Sequence, residues 1–184
     1  LDAIDYYNLK QGIVVFAAGN YNSDGQFYPG YYWGTVNVAA TDNGGVRAGF
    51  SNHGAHIDIS APGVGVMSTK WSNTYGTSDG TSMACPHVAG VLALGLACDP
   101  SATKWDLLHC LYTTAEDIDG VNPGNVGELG AGLVDAYEFL QCACPEPVPA
   151  PKPTRPIFVP KPTYPIFVPK PTPKPTRPIF VPKP

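Results

Sequence analysis

Of the residues in this chain that could do chemistry, Ser82 is the best placed. It stands in Gly80-Thr-Ser-Met-Ala-Cys-Pro-His-Val-Ala-Gly90, just after a glycine and just before an almost wholly apolar stretch, Val88 to Ala97. Gly80 tolerates backbone angles closed to other residues, and Thr81 and Ser82 suit a helix start. The apolar stretch predicts a buried helix running on from that start. Ser82 would then lie at a helix N-terminus, where unpaired backbone N–H groups and the positive end of the helix dipole favour a developing anion. In that setting a serine hydroxyl can act as a nucleophile and the oxyanion it creates can be held.

The elements that must position Ser82 can be read on either side of it. Gly12-Ile-Val-Val-Phe-Ala-Ala-Gly-Asn20 predicts a buried strand of a parallel sheet ending in a loop, with Asn20 as its chemically interesting residue. Val36, Val38 and Ala40 alternate with Thr35, Asn37 and Ala39, which suits a second strand, and Asp42-Asn-Gly-Gly45 is turn chemistry. Ile57 and Ile59 flank Asp58 as a short strand that Pro62 and Gly63 stop. Downstream, Ser101 to Leu111 predicts a helix capped by Ser101, with Trp105, Leu108 and Leu111 or Tyr112 on one face. Gly130-Ala-Gly-Leu-Val-Asp-Ala136 leads into a last helix that ends near Cys144.

The Ser82 motif closely resembles that of the subtilisin-like serine proteases, with Cys85 where the family more often has threonine or serine. Ala17-Ala-Gly-Asn20, Tyr28-Pro-Gly, Thr35 to Asp42, Ala48-Gly-Phe-Ser-Asn-His-Gly54 and Ile57-Asp-Ile-Ser-Ala-Pro-Gly63 extend the resemblance in the family's order. It covers nearly all of residues 1–144 and corresponds to the C-terminal half of a catalytic domain. It implies an α/β fold, a mostly parallel sheet flanked by helices, incomplete in this chain. The function it implies is endopeptidase hydrolysis of a polypeptide substrate through an acyl-enzyme. Ser82 would be the nucleophile, and Asn20 would donate its amide to the oxyanion beside the Ser82 N–H. Ala17, Ala18 and Gly19 would line one wall of the primary specificity pocket and leave room for a large apolar or aromatic side chain. No cofactor is required by this chemistry. The carbonyls from Gly30 to Thr35 match a region that binds a cation in some relatives, which makes calcium a candidate structural ion.

A serine hydroxyl at neutral pH needs a general base, and the base needs an orienting carboxylate. The family supplies both upstream, in the order Asp, His, Ser, yet no Asp-Thr-Gly, Asp-Ser-Gly or His-Gly-Thr-His sequence precedes Ser82. The expectation is a fragment of a longer protease, inactive alone. His87 lies five residues past Ser82 on the same helix, faces elsewhere, and is expected to be packed and hydrogen-bonded. His53 and His56 are expected to be solvated or bonded within loops, and His109 to be at the surface. No two histidines have metal-ligand spacing on one helix. The alternative from another class is a non-catalytic, truncated remnant whose proline-rich end binds or spaces.

Composition changes sharply near residue 144. Residues 1–144 carry fourteen acidic side chains against Lys10, Arg47, Lys70 and Lys104, which argues against a nucleic-acid partner. Residues 145–184 carry seven basic side chains against Glu146 alone. They also hold 16 of the 21 prolines, in repeats such as Lys152-Pro-Thr-Arg-Pro-Ile-Phe-Val-Pro160. Proline at that density predicts an extended or disordered tail, a semi-rigid spacer or a tract that contacts an acidic wall polymer. No hydrophobic run reaches the ~20 residues needed to span a bilayer. Cys98 and Cys110 are expected to pair, at most one of Cys142 and Cys144 to be bridged, and Cys85 to be a buried free thiol. Such pairing suits an oxidising, extracellular compartment.

Overall fold

The computed structural model describes residues 2–144, and the proline-rich repeats of 145–184 lie outside the described residues. Three parallel strands form the centre: β1 (Val14–Ala17), β2 (Thr35–Thr41) and β3 (Ile59–Pro62), in the order β1-β2-β3. Val14 pairs with Thr35 and Val38 with Ile59, so the C-terminal ends of all three strands emerge on one side. The helices are α1 (Asp2–Leu9), α2 (Thr81–Cys98), α3 (Lys104–Thr113) and α4 (Ala136–Ala143). An antiparallel ribbon, β4 (Val66–Lys70) with β5 (Thr74–Ser78), is separate from the sheet and was not expected from the sequence. The α/β class with a parallel sheet flanked by helices is as expected.

β2 is buried along its whole length, including Thr35, Asn37 and Thr41. Its alternating pattern predicts one wet face, but helices cover one side and the segment from Leu129 to Leu133 the other. Val36, Val38, Ala40, Ile59 and Ala61 form one core with Ala84, Val88 and Leu92 of α2 and Phe139 of α4. Each fully buried large apolar side chain there contributes about 1.5–3 kcal/mol relative to exposure. The core side of α2 is held tightly: a β-carbon on Gly95 would lie 2.7 Å from the Phe139 ring, so α4 can pack close only against glycine. α2 is long and apolar enough by composition to cross a membrane, but it packs on all three strands, and Leu94 and Leu96 on its other side are exposed.

Three local expectations are corrected. α3 begins at Lys104 and not at Ser101; its cap is Thr103, whose hydroxyl accepts from the Asp106 N–H while the Asp106 carboxylate accepts from the Thr103 N–H. This capping box satisfies two donors of the first turn at once, whereas Ser101 bonds only to the Asp99 side chain. As a result Trp105 faces solvent, and Leu107, Cys110 and Leu111 form the buried side. The disulfides are Cys98–Cys144 and Cys110–Cys142, not Cys98–Cys110, and both Cys142 and Cys144 are bridged where at most one was expected to be. Cys142 lies in α4 and Cys144 caps its end, and because α4 packs against both α2 and α3 each cysteine meets a different helix. Cys85 is free and half-buried, and burial pushes its thiol above the ordinary value.

Candidate active site

The site is built where β1 and β3 end and α2 begins. Gly80 precedes α2 with φ +151°, a backbone that favours glycine, and its N–H donates to Gly63 O at 2.8 Å. Gly63 itself admits no side chain, since a β-carbon there would lie 2.8 Å from Gly80 O and 2.6 Å from the Ala40 β-carbon. The end of β3 therefore fixes the turn from which α2 starts. The first helical residue, Thr81, is 1% exposed. Its hydroxyl donates to Asn20 Oδ1 at 2.9 Å and accepts from the Gly19 N–H at 3.2 Å, while its own N–H donates to Asn20 Oδ1 at 3.0 Å.

This fixes the orientation of Asn20. Its Oδ1 accepts twice from Thr81, so its amide Nδ2 must point the other way, and Nδ2 donates to no described residue. A β-carbon on Gly80 would stand 3.5 Å from that nitrogen. Asn20 and Ser82 are both exposed; Ser82 follows Thr81 in the chain and Asn20 is hydrogen-bonded to it. The backbone N–H of Ser82 lies in the first turn of an 18-residue helix and has no acceptor among the described residues. Two donors, one side chain and one backbone, are thus available beside one hydroxyl.

Ala17, Ala18 and Gly19 are held by a residue that the sequence reading overlooked. Asn52 is fully buried; its Nδ2 donates to Ala18 O at 2.8 Å, its N–H to Gly19 O at 2.9 Å, and its Oδ1 accepts from the Tyr21 N–H at 2.9 Å. Asn52 sits inside Phe-Ser-Asn-His, and only its burial marks it as a hub. On the other side of Ser82 an open groove of about 340 Å³ is lined by Val66, Met67 and Ser68 of β4 and by Met83, Pro86 and His87 of α2.

No histidine nitrogen lies within hydrogen-bond reach of Ser82 Oγ among the described residues. His87 is exposed, contrary to the packed position expected, and its Nδ1–H donates to Met83 O one turn back at 2.8 Å. His53 bonds Glu128 Oε2 at 2.8 Å, and Asn125 donates to the same oxygen, which holds the Glu128 carboxyl below the ordinary range. His56 is half-buried, and burial together with the nearby His53 pushes its imidazole down.

The carbonyls of the segment matched to a cation site surround one hydroxyl. The buried Thr35 hydroxyl lies 2.8, 3.0 and 3.4 Å from the carbonyl oxygens of Tyr32, Gly30 and Pro29, and shares its proton among them. Asn37 Oδ1, next to Gly30, is buried and accepts no hydrogen bond, while no group of three or more His, Cys, Asp or Glu side chains converges among the described residues.

Comparison with known proteins gives this geometry a context. Residues 2–132 match the model of the subtilase family, peptidase S8. The chain is 44% identical over 134 residues to the alkaline elastase YaB of a Bacillus species, covering 73% of this chain and 34% of that protein. It is 36% identical over 139 residues to thermitase of Thermoactinomyces vulgaris, covering 76% and 48%. Among solved structures it superposes on a protease from Pseudoalteromonas arctica with a TM-score of 0.71 at 38% identity, covering 77% of this chain and 46% of that one. The patellamide maturation protease PatA gives a TM-score of 0.72 at 26% identity, covering 77% and 55%. The chain spans about a third to a half of the length of the curated relatives it matches.

Proposed function

This chain belongs to the subtilase family, and from that premise we propose that it carries the nucleophile and oxyanion half of a serine endopeptidase site. Ser82 Oγ attacks the scissile carbonyl of a polypeptide. The Ser82 N–H and Asn20 Nδ2 hold the oxygen as it gains charge, and an acyl-enzyme forms that water then cleaves. A histidine outside the described residues, oriented by a carboxylate, takes the serine proton and returns it to the leaving amine. The observation that carries this reading is the double acceptance by Asn20 Oδ1 from Thr81, which leaves Nδ2 as the one end of the amide able to donate. The groove against β4 receives the leaving-group side of the substrate, and Ala17 to Gly19 border the acyl side. The two disulfides fit an extracellular enzyme.

Labelling with a fluorophosphonate tests the proposal. The complete protease should be modified at Ser82 and the Ser82→Ala variant not at all, while the 184-residue chain alone should label slowly or not at all for want of a base. Labelling of the complete protein at a different residue would overturn it.

A further inference from the structure

At the opposite end of the sheet, a cleft of about 420 Å³ is lined by residues that the peptidase reading does not use, among them Asp5, Asn8, Trp33, Lys104 and Trp105. It borders a second cavity of about 240 Å³ at the N-terminal ends of β1 and β2, which Lys104 and Asp58 both line. Lys104 is the unusual residue. It is 9% exposed, although lysine is almost never buried without a partner of opposite charge. Its ammonium has three protons to donate, yet its one hydrogen-bond acceptor among the described residues is Asn8 Oδ1, at 3.3 Å. It lies 4.7 Å from the centre of the Trp105 ring, and no described carboxylate oxygen comes within 4.0 Å of it. It also occupies the first turn of α3, where the helix dipole adds to its positive field.

The neighbouring acids are committed elsewhere. Both oxygens of Asp5 accept from the Tyr32 hydroxyl, at 2.6 and 2.7 Å. Asp106 closes the capping box with Thr103. Asp58 Oδ2 accepts from the Asn37 N–H at 2.7 Å, and burial favours its neutral form. Beside this unmatched cation stand two large aromatic surfaces, Trp33 at 76% exposure and Trp105 at 64%. A cation with unused donors next to flat apolar walls matches a ligand that pairs one negative charge with a ring.

We infer that this cleft binds an aromatic monocarboxylate, its carboxylate on Lys104 Nζ and its ring against Trp33 and Trp105. That chemistry has two sources, a free aromatic acid or the C-terminal carboxylate of a peptide ending in an aromatic residue. Titration of the full chain with phenylacetate and with N-acetyl-phenylalanine, read by tryptophan fluorescence in a Trp71→Phe background, tests the inference and separates the sources. Saturable binding of at least one acid is expected. It should weaken about ten- to a hundredfold in Lys104→Gln or when N-acetyl-phenylalanine amide replaces the acid, as expected for loss of a charged hydrogen bond. Lys104→Arg should retain it, and Trp33→Ala, a change at an exposed position, should weaken it without altering the unfolding temperature. Three results would overturn the inference: no saturation by either acid up to about 10 mM, a weaker limit than any useful site; equal binding of the amide; or unchanged binding in Lys104→Gln.

Discussion

Thr81 and Lys104 invite comparison: each is polar, nearly fully buried and the first residue of a helix. Thr81 makes three hydrogen bonds, at 2.9, 3.0 and 3.2 Å, and every one serves to aim a neighbour. Lys104, with three protons to donate, makes one hydrogen bond, at 3.3 Å, and lies against a ring. At the Ser82 end of the sheet the groups proposed to react are exposed, and the groups that place them are buried and satisfied. At the far end the charged group itself is buried and its surroundings leave it unmatched. Burial of a polar group costs free energy unless partners are provided. The first arrangement uses burial to make a rigid frame, and the second leaves an ammonium whose natural complement lies outside the described residues.

The sharpest way to probe the first arrangement is to remove what the frame presents. In the complete protease, Asn20→Ala should lower turnover by ~10²–10³, the magnitude known for loss of one oxyanion donor in subtilisin and carried over from there, with little change in KM. Full turnover in that variant would remove Asn20 from the proposed site. Removing the frame itself should have a smaller but broader effect. Thr81→Val keeps the shape, deletes the hydroxyl, and leaves the Gly19 N–H without its acceptor. A loss of about 1–3 kcal/mol in unfolding free energy is expected from urea titration, with turnover falling as Asn20 gains freedom to rotate. If stability fell while turnover held, Thr81 would be a structural residue alone.

The two ends also differ in how far the sequence discloses them. Ser82 and Asn20 stand in contiguous motifs, because a nucleophile at a helix start and a loop at a strand end are both local constructions. Thr81 lies inside the motif, but its bond to Asn20 spans 61 positions and has no local signature. Asn52 looks like any loop asparagine until its burial is known. The cleft draws on positions 5, 8, 33, 104 and 105, which only the packing of α1 and α3 brings together. The disulfides fail as a sequence inference for the same reason: proximity along the chain favours Cys98 with Cys110, whereas α4, packed across both helices, takes each of them separately.

Lys104→Met keeps most of the side-chain volume and removes the unmatched charge, so it should raise stability by about 1 kcal/mol, where Thr81→Val lowers it. An equal loss in both variants would mean that Lys104 is as well satisfied as Thr81.

The smallest expected effect concerns Asp58, which lines the inner cavity beside Lys104. Burial raises its carboxyl above the ordinary value of 3.8, against a smaller opposing pull from the Asn37 N–H. The folded state therefore keeps this proton to higher pH than the unfolded chain does. The stability it contributes is full below 3.8 and is lost as the pH rises through the folded-state value. Asp58→Asn retains an oxygen to accept from Asn37 but does not titrate. The unfolding temperatures of the two proteins should nearly coincide at about pH 3 and separate by about pH 6, with the asparagine variant the more stable. The reverse order at pH 6 would mean that the Asp58 charge is compensated in the folded state, and Lys104 would be the group positioned to compensate it.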